Sequence, residues 1–304
     1  MPDHLLFTLF SILLSTMPLS EGIPPSNHPV FPYNLDQPNA IFEMPESLKE
    51  ISGLGITSDL QHLVAVNDEE GIVFLINKLE GKVVKEINFW NEGDYEGLEV
   101  VGNDAYVIKS SGTIYQVKNY MSDSSTTVKI KTFLNQENDV EGLAYDPAKN
   151  CLLIGCKGKL AEGGMEQSPL KKAIYEFDLN MMVMKNEPAY MLTLPDIQDY
   201  ISHMEEHGEM EKLLEDFSKN EEELKFSPSG IAIHPISKEI YVTSSKGKLL
   251  LVLSPEGKII HLQKLKKKIH AQPEGICFDA DGTLYIANEG KEDKAVIYKF
   301  LYHN

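Results

Sequence analysis

Arginine is missing altogether. All 28 basic residues of the 304-residue chain are lysine, set against 46 acidic ones, for a net charge of −18. Without the planar guanidinium fork that reads phosphates and guanine edges, and with this acidity, nucleic-acid binding is disfavoured, as is adsorption to anionic lipid. Cysteine is scarce too. Cys151, Cys156 and Cys277 are odd in number and form no Cys-x-x-Cys pair, so neither a complete disulfide set nor a thiolate zinc site is expected. In CLLIGC read as one strand, Cys151 and Cys156 point to opposite faces about 16 Å apart and cannot bridge, which leaves buried thiols as the expectation. There is one tryptophan, Trp90, expected to pack. No P-loop occurs, and Gly53-Leu54-Gly55 lacks the third glycine of a dinucleotide loop, so nucleotide binding has no support.

Long apolar runs are lacking as well. Residues 5–14 (LLFTLFSILL) are too few for a confident membrane span but suit the apolar region of a signal peptide. Residues 1–22 are therefore expected to be a cleaved export signal, with retention as an N-terminal membrane anchor as the alternative. Residues 23–39 read as a Pro-rich linker. The composition of the rest, 42% hydrophobic and 9% aromatic overall, suits a globular core.

What is present is a repeat. An acidic residue or Ser, then Gly, then an aliphatic residue recurs at Ser52-Gly53-Leu54, Glu96-Gly97-Leu98, Glu141-Gly142-Leu143, Ser229-Gly230-Ile231 and Glu274-Gly275-Ile276, with glycines 44, 45, 88 and 45 residues apart. A period near 44 is what four antiparallel strands and their turns need, the size of a propeller blade. Further apolar runs follow each motif in step, such as LVAVND and GIVFLINK or LYIANE and AVIYKFLY. The last unit ends after three strands while an extra strand-like segment, residues 40–44, precedes the first motif, so that segment is expected to complete the last blade and close the ring. The expectation is an all-β, five-bladed β-propeller over residues 40–304. The 88-residue interval would accommodate a sixth blade, the alternative, but residues 196–226 show helical spacing and read as a helical insertion between blades three and four.

That insertion holds eleven acidic residues against three lysines. It is expected to be an amphipathic cover on the rim, with a lid or partner-binding element as the other reading. Its His203-Met204-Glu205-Glu206-His207 matches H-x-x-E-H, which on one helix would set two zinc-ligating histidines a turn apart, yet no third ligand can be identified. Asp279-Ala280-Asp281-Gly282 begins like a calcium loop but has Gly290 at its twelfth position, and reads as a turn. Lys264, Lys266, Lys267 and Lys268 read as part of an edge-protecting outer strand.

In a propeller the start of each inner strand and the end of the next strand share one mouth of the central channel. This gathers Glu96, Glu141 and Glu274 with Ser52 and Ser229, and brings Asn67 and Asp68 to the same end. Converging carboxylates need protons, lysines or a cation. Calcium, which takes six to eight hard oxygens, fits Glu96, Glu141, Glu274, Asn67 and Asp68 best, whereas neutralisation by Lys109 and Lys157 needs no metal.

The succession LKEISGLGI, VNDEEG, DYEGLEVVGNDAYVIKSSGTIYQV, DVEGLAYD, SPSGIAIHP and QPEGICFDADGTLYIANEG resembles the SdiA-regulated, YjiK-like family of bacterial proteins over about residues 45–300. The resemblance implies a five-bladed propeller distantly similar to NHL-repeat proteins, exported or associated with the cell membrane, with a bound calcium. It implies no reaction. The expected function is a non-enzymatic binding or scaffold protein that meets an unidentified protein or small-molecule ligand at the propeller mouth. A calcium-dependent hydrolase of lactonase or phosphoesterase type is the alternative.

Overall fold

In the computed structural model, which describes residues 31–161, 166–204, 208–218, 222–291 and 293–303, the chain from Pro32 onward forms a five-bladed propeller. The signal or anchor expected over residues 1–22 lies outside the described residues. Blade one is β2 (Ile51–Ile56), β3 (His62–Asn67), β4 (Ile72–Asn77) and β5 (Lys82–Asn88), preceded by β1 (Ala40–Glu43). Blade two is β6 (Tyr95–Val101), β7 (Asp104–Lys109), β8 (Ile114–Lys118) and β9 (Thr126–Ile130). Blade three is β10 (Val140–Asp146), β11 (Cys151–Cys156) and β12 (Lys171–Asp178), whose outer edge is shared by β13 (Val183–Met184) and β14 (Tyr190–Thr193). Blade four is β15 (Gly230–Ile233), β16 (Ile240–Ser244), β17 (Leu249–Leu253) and β18 (Ile259–Lys264). Blade five is β19 (Pro273–Phe278), β20 (Leu284–Asn288) and β21 (Val296–Phe300), with β1 as its fourth strand.

Composition explains the order within a blade. Middle strands such as LLLVL in β17 are buried along their whole length because blades stack on both faces, whereas the outer KVVKEIN of β5 is polar and mostly exposed. The ring closes as expected: β1 pairs antiparallel with β21, Ala40 opposite Lys299 through Glu43 opposite Val296. No six-bladed arrangement arises, because the long interval is filled by the insertion.

Four blade junctions are filled by aliphatic and aromatic cores. The junction of blades four and five is instead aromatic and polar, with His234, Tyr241 and Phe278 packed against Tyr33 and Tyr302. Tyr33 belongs to the stretch expected to be a linker, and here the structure differs. Tyr33 and Leu35 are buried, the Tyr33 hydroxyl donates to the Gly282 carbonyl at 2.6 Å, and Lys266 pairs with Asp36 at 2.6 Å. Residues 32–39 are thus a strap on the propeller, because two apolar residues in a polar, Pro-rich run found a cleft to fill.

The insertion contains α1 (Leu194–Ser202) and α2 (Gly208–Asp216). Thr193 caps α1 and Pro195 stands in its first turn. Ile197, Ile201, Leu213 and Phe217 are buried in the core between blades three and four, and Glu209 accepts from the Lys264 amide at 2.9 Å on the outer edge of blade four. Asp216 also pairs with Lys264. The segment is a rim cover whose described hydrogen bonds and ion pairs do not reach Glu96, Glu141 or Glu274. Of the H-x-x-E-H stretch, His203 and Met204 follow the end of α1. Residues 205–207 themselves lie outside the described residues. Only Lys264 of the four-lysine group is in a strand, the other three following β18 in a turn. Asp279–Gly282 is the β19–β20 turn, with Asp279 paired to Lys78 at 2.6 Å. The three cysteines are free and buried, and half-exposed Trp90 leans on Tyr115.

The inner strands approach one another too closely for a side chain at the motif glycines. A Cβ on Gly230 would sit 2.2 Å from the Glu274 carbonyl oxygen, and one on Gly97 2.9 Å from that of Glu141. Gly230→Ala should therefore cost about 1–3 kcal/mol, read as a lower denaturant midpoint at unchanged m value; an unchanged midpoint would mean the ring has slack. A second expectation concerns acid. Burial holds His234 neutral, its pKa pushed down to about 4, while its Nδ1 accepts from the amides of Ile236 and Ser237. Below its ordinary value of 6.5 the unfolded chain takes up a proton that the folded one refuses. Stability should fall as pH drops from about 6.5 to about 4, and His234→Gln should flatten that limb in denaturation measured across pH.

Candidate functional site

The site begins with a backbone irregularity. The register of the first two strands slips between Ile51 and Gly53, between Tyr95 and Gly97, between Val140 and Gly142, and between Pro273 and Ile276. Each slip is a β-bulge that contains the motif residue, Ser52, Glu96, Glu141 or Glu274, and a bulged residue is re-aimed relative to the ladder. The result is one narrow site on the axis, lined by Ser52, Glu96, Glu141, Ser229 and Glu274, with about 10 Å³ left among them. That is room for about one water.

The two serines are used internally. Ser52 Oγ donates to the Tyr95 carbonyl and Ser229 Oγ to the Pro273 carbonyl, both at 2.6 Å, each tying its inner strand to the next blade. The three glutamates have less. Glu141 is buried and paired with Lys157, but its Oε2 has no partner. Burial, then the charges of Glu141 and Asp94, pushes the Glu96 carboxyl up to about 9. Burial and then Glu141 likewise raise Glu274, and burial raises Glu141 against the opposing pull of Lys157. Burial disfavours the Lys157 ammonium, yet Glu141 raises it overall. Glu96 is thus held protonated at neutral pH.

Of the five residues expected to bind a cation, the fold gathers Glu96, Glu141 and Glu274. Asn67 and Asp68 stand apart. The Asn67 amide donates to the Ser47 carbonyl at 2.9 Å and accepts from the Glu70 amide at 2.8 Å, holding the β3–β4 turn. Asp68 sits with Glu50, Glu69 and Glu289, and burial followed by these charges raises it to about 6. Of the expected neutralisers, Lys157 serves, while the Lys109 ammonium lies 5.3 Å over the Tyr95 ring. Asp94, bonded to Ser110 and close to Glu96, was not anticipated. The signal for it was present, since the position two before the motif residue is Glu50, Asp94 and Asp139 in the first three blades.

Among the described residues, no group of three or more His, Cys, Asp or Glu side chains forms a ready metal site. What suits calcium is donor chemistry. The mouth offers only oxygen, including the unpartnered Glu141 Oε2 flanked by two half-buried carboxyls, and no His or Cys of the kind zinc prefers.

Comparison with known proteins adds the following. Residues 39–292 match the model of the family described as SdiA-regulated. Among solved structures, the chain is similar to a luciferin-regenerating enzyme, with 11% identity over 87% of this chain and 95% of that one and a TM-score of 0.50. It is also similar to a gluconolactonase from Xanthomonas campestris (11% identity, 82% and 72% covered, TM-score 0.48). A third is the virginiamycin B lyase of Staphylococcus aureus (14% identity, 86% and 69% covered, TM-score 0.44). At such identities the likeness speaks to fold alone.

The raised carboxyls make a prediction. Groups whose folded pKa lies above the ordinary 4.5 take up protons on folding, and the stability they lend is lost as pH rises through the folded value. In chelator, the Glu96 contribution, read as the difference in unfolding free energy between wild type and Glu96→Gln, should decline between about pH 5 and 9; a difference that does not change with pH would contradict the cluster's protonation.

Proposed function

The chain belongs to the SdiA-regulated family, and from that premise we propose that it is a non-enzymatic binding propeller whose glutamate mouth takes calcium and faces a protein or small-molecule partner outside the cytoplasm. The observation that carries this reading is the convergence of Glu96, Glu141 and Glu274 on one axis, where Lys157 pairs with Glu141 alone of the three. These three side chains would hold the ion. A bound calcium supplies positive charge that the cluster otherwise obtains from Lys157 and from protons. Glu96 and Glu274 would release their protons on binding, so affinity should rise with pH. The apolar run at residues 5–14 supports an exported location.

The hydrolase reading has one observation in its favour. Glu96, held protonated at neutral pH, has the form of a general acid. Space weighs against a substrate within the mouth, because a small-molecule pocket takes about 300–1,000 Å³ and the mouth leaves about 10 Å³; a partner of either kind would meet the rim above the ion.

The test is the melting temperature of the purified protein in calcium and in chelator, for the wild type and for Glu96→Gln with Glu141→Gln. A native-state ligand raises stability as RT ln(1 + [L]/Kd). A calcium-specific rise that the double variant loses is expected. No rise, with no calcium in metal analysis, would leave Lys157 and protons as the neutralisers and remove calcium from the reading. Turnover of lactones or phosphoesters abolished by Glu141→Gln would replace the binding reading with the hydrolase one.

A further inference from the structure

A second cleft opens at the mouth opposite the glutamates, between blades one and two. Three turns form it: residues 57–59 between β2 and β3, residues 102–103 between β6 and β7, and residues 119–122 between β8 and β9. It encloses about 420 Å³, within the range of small-molecule sites. Its walls are tied to one another. Ser58 Oγ donates to the Gly102 carbonyl at 2.5 Å, the Tyr120 amide donates to the Asn103 carbonyl at 3.2 Å, and Lys85 Nζ reaches from the outer strand of blade one to the Met121 carbonyl at 3.1 Å. Such cross-turn bonds hold the cleft open before any ligand arrives.

The lining leaves specific groups unspent. Tyr120 is buried, and its hydroxyl forms no hydrogen bond among the described residues. Burial, then the nearby Asp59, keeps that hydroxyl protonated, its pKa pushed up to about 12. The Asp59 carboxylate is held ionised by the Thr57 hydroxyl at 2.6 Å and the Gln61 amide at 3.1 Å, both on Oδ1, which leaves Oδ2 for a ligand. Among the described residues the exposed side-chain amides of Asn103 and Asn119 form no hydrogen bond, and half-exposed Met121 supplies an apolar wall. Asp59 is the one charged residue in the lining, and the Lys85 ammonium at the rim is spent on the Met121 carbonyl, so no excess of positive charge draws an anion. Amides and a tyrosine hydroxyl both donate and accept, and the carboxylate accepts only. A ligand with many hydroxyls, each able to do both, satisfies this set.

We propose that this cleft binds a neutral polyhydroxylated small molecule, a monosaccharide or short saccharide unit, with the Asp59 carboxylate and the Tyr120 hydroxyl accepting from and donating to its hydroxyls. The site is separate from the glutamate mouth and does not depend on calcium.

The test uses the isotope-labelled full chain, titrated with glucose, galactose, N-acetylglucosamine and maltose while backbone amide shifts are followed. Saturable shifts confined to residues 57–59, 102–103 and 119–122 are expected with at least one of these sugars, unchanged in chelator. Asp59→Asn, which keeps the turn's acceptor, and Tyr120→Phe, which keeps the core ring, should each weaken binding by about tenfold, the size of one lost hydrogen bond to a charged or buried group. Their melting temperatures separate lost binding from lost fold. No shift at tens of millimolar sugar, shifts centred elsewhere, or equal affinity in both variants would overturn the proposal. So would shifts there with spermidine but with none of the sugars, which would make the cleft a cation site.

Discussion

Everything in this molecule depends on how closely five inner strands approach one axis. The backbone of one meets that of the next at distances that exclude a Cβ, as at Gly230 against Glu274 and at Gly97 against Glu141. That approach narrows the axis to about 10 Å³, lined by the residue that precedes each glycine. In blades one and four it is a serine, whose hydroxyl satisfies the neighbouring strand's carbonyl and ties the ring. In the other three it is a glutamate, and the ring concentrates negative charge there.

The consequence is electrostatic frustration in a small volume. One lysine, Lys157, is close enough to pair with Glu141, and burial raises all three carboxyls. A structure selected for stability alone would have put serine or an apolar residue at each position, as two blades do. Three acids at the tightest point therefore need protons or a cation, and this need is the premise of the calcium binding proposed above. The same antiparallel geometry separates this mouth from the cleft between blades one and two, so that the two faces can meet different chemistry.

The outer parts follow from the need to cover edges. β1 completes blade five, the strap at residues 32–39 fills the aromatic junction of blades four and five, and α1 and α2 cover the outer edge of blade four. Each is held by a few apolar anchors, Tyr33 and Leu35 in one case and Ile197, Ile201, Leu213 and Phe217 in the other. Among the described acidic residues of the insertion, Asp216 and Glu223 pair with Lys264 and Lys246 of blade four, and Glu209 accepts from the Lys264 amide, which ties so charged a segment to the blade.

Period and composition were legible in the chain itself. The 44-residue spacing of the motif, the extra strand before the first unit and the helical spacing after blade three determined five blades, the closure and the insertion, because each rests on local pattern. So was the gathering of Glu96, Glu141 and Glu274, since inner-strand starts must share a mouth. Tertiary structure decided the rest. Asn67 went to a turn, Lys109 to the face of Tyr95, and a supposed linker to a cleft, because each choice depends on which partner lies within a few ångströms across a blade boundary. Sequence periodicity sets which residues share an end of the propeller, but the distance between two side chains there is set by the bulges and packing that only the closed ring imposes.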